Sequence, residues 1–171
     1  MSAKRPLLRL AALLMCLLLW GCASGADTAE AFYENLAKVA GQEGYALADT
    51  SEHAAGLSRD GVDCGASFLV TPRADGGIAE IAVSTLDFNA HQADFTMACA
   101  LAVQAYVPKY AKDIDGARDA VARAASGTEL TEKGASLLTE DGYEFSYDFI
   151  MASALLPLDA ARFTVRALPA E

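Results

Sequence analysis

Basic residues are scarce in this chain of 171 residues: 13 Lys+Arg face 23 Asp+Glu, for a formal charge of -10 and a pI near 4.6. That balance excludes the clustered Lys/Arg needed to neutralise phosphates, and with it a nucleic-acid partner. Charged residues are few altogether, 21% against 53% apolar, which excludes a disordered chain. No C-x-x-C, G-x-S-x-G, P-loop, G-x-G-x-x-G or H-E-x-x-H occurs, and Ser67, Ser126, Ser146 and Ser153 have no nucleophile context. Aromatic residues make up only 8%, whereas Ala occurs 36 times, so the core is expected to be built from small side chains and close-packed helices. The length suits one domain with a core that needs neither metal nor many disulfides.

Residues 1–22 read as an export segment. Lys4, Arg5 and Arg9 form a positive start, followed by an apolar run from Leu10 to Trp20. That run is well short of the roughly 20 residues a membrane-spanning helix requires. It ends Leu19-Trp20-Gly21-Cys22, which resembles the lipobox of bacterial lipoproteins: Leu at −3, a small residue at −1, then the cysteine. Trp20 departs from the small residue usual at −2. The resemblance implies that residues 1–21 are removed and that Cys22 is acylated, anchoring the chain to a membrane on its periplasmic side. Ala23 in place of Asp implies outer-membrane sorting where the host has two membranes. Cleavage by an ordinary signal peptidase at Ala23 to Ala26 is the competing reading. Removal of residues 1–21 leaves ten Lys+Arg against 23 acids. A domain so acidic is repelled by anionic lipid, so the acyl chains must hold it, at about 0.8 kcal/mol per buried CH₂. The tether 22–26 precedes the first helix signal at Asp27. At about 3.3–3.6 Å per residue it spans under roughly 20 Å, keeping a domain of residues 27–171 close to the membrane.

Cys16 falls in the apolar run and Cys22 is the lipid site, which leaves Cys64 and Cys99. In an oxidising compartment a bridge between them is the expected pairing, contributing roughly 3–4 kcal/mol in the chain-entropy account. Two buried free thiols are the other reading.

Along the body, Asp27-x-x-Glu30 and Phe32, Leu36 and Val39 predict a helix near 28–40, ended by Gly41. Strands are expected near 45–58, then a turn at Asp60-Gly61 and a period-2 strand through Val62, Cys64, Ala66, Phe68 and Val70. A polar loop Thr71 to Gly77 leads to a returning strand Ile78 to Leu86. Asn89-x-x-Gln92 opens a helix over 89–107 that is apolar around most of its circumference and therefore buried, with Pro108 as its stop. A helix near 115–125 follows, then strands near 128–138, a turn at Asp141-Gly142, the alternation Tyr143, Phe145, Tyr147, Phe149, and a last strand Arg162 to Leu168. The second set matches the first at offsets of 81 to 85 residues: Asp60-Gly61 with Asp141-Gly142, Val83 and Leu86 with Val165 and Leu168. The class is α+β, an antiparallel sheet of about six strands with helices on one face. It reads as a tandem αβββ repeat, 27–88 and 113–171, joined by the long buried helix.

Residues for chemistry are sparse. His91 and Asp94 share a helical face, and with His53 and Glu52 they could form half a metal site or a His–carboxylate base. Asp113-x-Asp115-Gly116-x-x-Asp119 lacks the remaining ligands of a calcium loop and is better explained as a helix start capped by Asp115. The expectation is no catalytic residue, no metal and no cofactor. The asymmetry between the halves is more informative, because the polar loop 71–77 has an apolar counterpart in Met151 to Ala160, MASALLPLDA. Leu155, Leu156 and Leu158, extended by Tyr143 and Tyr147, are the expected contact surface for an envelope protein, a basic one given the acidic domain. The alternatives are a binder of an apolar or lipid ligand walled by the sheet and the long helix, and, less favoured, an envelope hydrolase.

Overall fold

The computed structural model describes residues 26–131, 134–153 and 156–169. Helix α1 (Ala29–Gln42) is followed by strands β1 (Ala46–Ala48), β2 (Ala54–Arg59), β3 (Val62–Pro72) and β4 (Ile78–Thr85). Helix α2 (Phe88–Tyr106) and a 3₁₀ turn (Pro108–Tyr110) lead to α3 (Ile114–Ala125) and to β5 (Glu129–Leu130), β6 (Ser136–Glu140), β7 (Tyr143–Ile150) and β8 (Ala160–Ala167). All eight strands form one antiparallel sheet in the order β1-β2-β3-β4-β8-β7-β6-β5. The fold is therefore α+β, with two more strands than the alternation pattern alone suggests. The difference lies in the expected strand regions 45–58 and 128–138, each of which divides in two, with the edge strands β1 and β5 only three and two residues long. Short edges also offer little backbone for another chain to pair with.

The halves share one layout, a helix and then four strands, and they meet along β4 and β8. Both Asp-Gly turns have two residues at positive φ: Asp60 at 52° and Gly61 at 77°, Asp141 at 51° and Gly142 at 79°. That is the geometry a two-residue hairpin demands. Arg59 opposes Val62 and Glu140 opposes Tyr143, so the 81-residue offset holds through both turns. It does not carry into the neighbouring strand. Phe68 opposes Val83, but its counterpart Phe149 opposes Ala161, four residues short of Val165. The offsets of 81 and 82 therefore cannot both mark equivalent positions.

The core lies between one sheet face and the helices. Cys64, Ala66, Phe68 and Val70 of β3, Ile81 and Val83 of β4, Phe163 and Val165 of β8 and Phe145 of β7 point inward. Helix α2 lies across β3, β4 and β8 with α1 and α3 on its flanks. From Ala98 to Tyr106 every residue is buried, and Ala at 98, 100, 102 and 105 lets both neighbouring helices approach closely. The opposite sheet face is polar, with Arg162 bonded to Glu80 and Arg166 to Glu144, each at 2.8 Å.

Each helix start has a different cap from the one the spacing suggests. Thr28, Asp87 and Asp113 accept the capping amide bonds, from Ala31, Ala90 and Gly116 respectively. Asp115, expected as a cap, instead sits in the first turn of α3 and pairs with Arg118 at 3.1 Å. Asn89 donates to Asp159 at 2.7 Å.

A charged cluster ties the 3₁₀ turn and α3 to the β6–β7 turn. Lys109 bonds Glu140 and Asp141, and Arg123 reaches Glu140 at 2.7 Å. The Lys109 ammonium, with Arg123 beside it, holds the Glu140 carboxyl below its usual range. A depressed carboxylate contributes stability that is present above its unfolded value and lost as pH falls through its folded one. Glu140→Gln is expected to lower stability at pH 7 by about 1 kcal/mol and to make no difference below the folded Glu140 value. Denaturant midpoints of both proteins at pH 7 and pH 2 test this, and parallel losses at both pH values would contradict it.

Candidate functional site

The expected disulfide is not formed. Cys64 and Cys99 are both buried and free. Inward-facing positions on a strand and on the helix above it are compatible with a bridge in sequence terms, but the helix crosses the sheet obliquely. Cys64 lies near Asp94, Arg59 and Asp63, whereas Cys99 is felt electrostatically by Tyr147 on β7, three strands away. Phe95, one helical turn before Cys99, packs on Tyr147, so this part of α2 lies toward β7 and the two sulfurs are not at bonding distance. Burial pushes both thiols up, Cys99 well above its ordinary value, so neither is a thiolate at neutral pH. Alkylation in denaturant without reductant should label both cysteines. A Cys64–Cys99 linked peptide in a non-reduced digest would contradict this arrangement.

The two histidines do not meet. The His53 carbonyl accepts from the Val70 amide at 2.8 Å. The His91 ring occupies the space where a Cβ of Gly65 would stand. Val70 and Gly65 are five positions apart on β3, or about 17 Å. Gly65, at φ 65°, makes room for the ring, so His91 acts as a packing residue at a bulge. Asp94 is engaged elsewhere, accepting from the Tyr45 hydroxyl at 2.8 Å and pairing with Arg59 at 3.4 Å. Arg59 in turn lies 4.1 Å over the Tyr45 ring. The His91–Asp94 pair that the spacing allows is not formed, and Asp94 instead ties α2 to the first hairpin. Among the described residues no group of three or more His, Cys, Asp or Glu could hold a metal ion.

The apolar surface is present but composed differently from the expectation. Tyr143 and Tyr147 face inward: their rings meet Tyr106 at 5.6 Å and Phe95 at 6.1 Å, edge to face. They sit at odd positions of β7, on the helix side, so they cannot extend an outer surface. Leu155 lies outside the described residues, and Leu156 is half-buried. Leu158 is exposed, as expected, at 47%. Exposed at the same end of the sheet are Leu86 and Met151, each 73%, with Phe149 on the helix side of β7 and Ile150 on the other face.

This cluster is positioned by the sheet. Ile150 opposes Ala160, the first residue of β8, and Leu86 directly follows β4, whose Thr85 opposes Ala161. Three adjacent strands thus end together. Phe149 leans edge-on against Phe88 at 5.1 Å, and Phe88 against buried Phe95 at 5.9 Å, so the patch is rooted in the core. Asp159 fixes the loop: its carboxylate accepts from the Ala152 amide at 2.5 Å and from Asn89, while its carbonyl accepts from the Phe88 amide. Asp87, Asp148 and Asp159 adjoin the patch in sequence. The asymmetry between the halves locates the loop, but the exposed pair Phe149-Ile150 lies inside what reads as a strand.

Comparison with family models, with curated proteins and with solved structures finds no match to this chain.

Proposed function

We propose that this chain is a membrane-anchored envelope lipoprotein working as a non-enzymatic interaction module, which meets a protein partner through the apolar end of its sheet. The observation that supports this reading is the convergence of Leu86, Phe149, Ile150, Met151 and Leu158 on one end, held there by Asp159. A preorganised apolar cluster avoids the ordering cost that a loose loop would add on association.

Its direction supports a protein partner over the bilayer. The chain enters α1 at Thr28, beside the β1–β2 loop and the β3–β4 turn, which is the end where β4 begins. The apolar cluster is at the end where β4 finishes, eight residues on, or about 26 Å away. An anchor at Cys22 with a tether of under roughly 20 Å holds the entry end near the membrane and turns the cluster outward. The neighbouring aspartates favour a partner whose apolar contact is bordered by Lys or Arg, with association weakened by salt. Crosslinking in intact cells followed by affinity recovery, with wild type beside Ile150→Asp, tests the proposal. A specific protein recovered with wild type alone supports it, and an identical set from both refutes it.

A further inference from the structure

A groove of about 580 Å³ runs between α1 and the end of α2 and continues along the 3₁₀ turn. Val39, Val107, Pro108 and Ala111 supply apolar wall, and Lys38 of α1 faces Lys112 beyond the turn. No acidic side chain lines the groove, although the chain carries 23 Asp+Glu against 13 Lys+Arg. Among the described residues every other basic side chain, from Arg59 to Arg166, is paired with a carboxylate. Lys38 and Lys112 have no such partner. Two ammonium groups lining one groove repel each other, and no described carboxylate offsets that.

Gln104 is a second, independent observation. It interrupts the buried stretch of α2 from Ala98 to Tyr106, is only 8% exposed, and lines the same groove. Its Oε1 is enclosed without a partner. Its Nε2 donates to no protein acceptor and is not enclosed, so the NH₂ is the part of the amide that the groove reaches. An amide nine-tenths buried normally donates within the protein. Nearby carbonyls are already occupied: Ala105 accepts from Asn35 Nδ2 at 3.3 Å and Val103 from the Val107 amide at 2.8 Å. The negative end of the α2 dipole is thereby partly covered. What the groove offers is an unused N–H donor beside two unpaired ammonium groups.

We infer that this groove binds a small organic oxyanion, one oxygen accepting from Gln104 Nε2, the charge held by Lys38 and Lys112, and the carbon chain lying on Val39, Val107 and Pro108. Carboxylates and phosphate monoesters both present the acceptor oxygens that these three donors require. The site is far from the apolar end of the sheet and does not depend on the function proposed there: Phe88, which packs on Phe149 at that end, precedes Gln104 by sixteen residues of α2, or about 24 Å. The acidic chain repels anions at long range, so selection rests on contacts inside the groove and not on steering.

The test is titration of the purified chain, at fixed ionic strength, with hexanoate, hexyl phosphate and hexylammonium, followed by amide chemical shifts. Hexanoate or hexyl phosphate should shift Lys38, Val39, Ala105 and Ala111, and hexylammonium should not; the tighter of the two anions assigns the head group. Lys38→Gln with Lys112→Gln, both at exposed positions, should weaken that anion about tenfold. Gln104→Leu should weaken it about threefold and melt no lower than wild type, because it removes an unpaired buried amide. A merely structural Gln104 would show the reverse, a lower melting temperature with unchanged binding. Equal shifts from hexanoate and hexylammonium, unchanged affinity in either variant, shifts confined to Ile150 and Met151, or no shifts with any probe would overturn the inference.

Discussion

Replacing Phe163 by Ala lowers the unfolding free energy by about 3–5 kcal/mol, a large share of what a domain of this size possesses. Phe163 is fully buried, opposes Val83 of β4 on one side and Tyr147 of β7 on the other, and stacks on Phe145 at 6.3 Å. Its truncation therefore opens a cavity at the seam of the two halves. Strand β8 is the last of the described strands and central in the sheet, paired with both β4 and β7. Ending the chain after Asp159 should accordingly abolish cooperative unfolding of the whole, although β1 to β7 keep their sequence. Denaturant titration by circular dichroism measures both effects. A loss under about 1 kcal/mol for Phe163→Ala, or a cooperative transition in the truncated chain, would show that β8 is not the seam.

Aspartate at Ile150 or at Leu86 should leave the melting temperature nearly unchanged and weaken partner binding by about 2 kcal/mol or more, roughly thirtyfold in Kd. Both side chains are already exposed, so folding loses little when they become polar, whereas burying a new carboxylate in an interface is costly. Phe149 is a poorer probe because its ring is part of the Phe88–Phe95 stack. Leu69→Asp, on the open sheet face, is the control: it is about as exposed as Ile150 and should bind as wild type does. Affinity recovery and thermal melts of the three variants decide the matter. Melting well below wild type would place the cluster in the core, and equal binding by all three would remove it from the interface.

The class of the fold was legible because alternation and turn chemistry are local. Phe68 and Val70 on one face, Asp60-Gly61 and Asp141-Gly142 at the turns, and the unbroken apolar stretch around Cys99 each carry their own signal. Caps were less legible, since Asp27 and Thr28, or Asp113 and Asp115, compete for one role and only backbone geometry decides between them. Pairings between distant segments leave no local trace at all. Nothing in the spacing tells that β8 returns beside β4, that His91 packs on Gly65, or that α2 carries Cys99 away from Cys64. The surface cluster was half legible: loop 151–159 reads as apolar, but Tyr143 and Phe149 are alike in the alternation. Only the burial of one end of β7 under α2, and the exposure of its other end, separates them.

The most direct test of the interaction account is a photo-crosslinking residue placed in living cells at Met151, at the apolar end of the sheet, and in a second strain at Thr50, in the β1–β2 loop at the opposite end. The account predicts a discrete protein adduct from position 151 and none from position 50. Adducts from position 50 alone, or from neither, would contradict it.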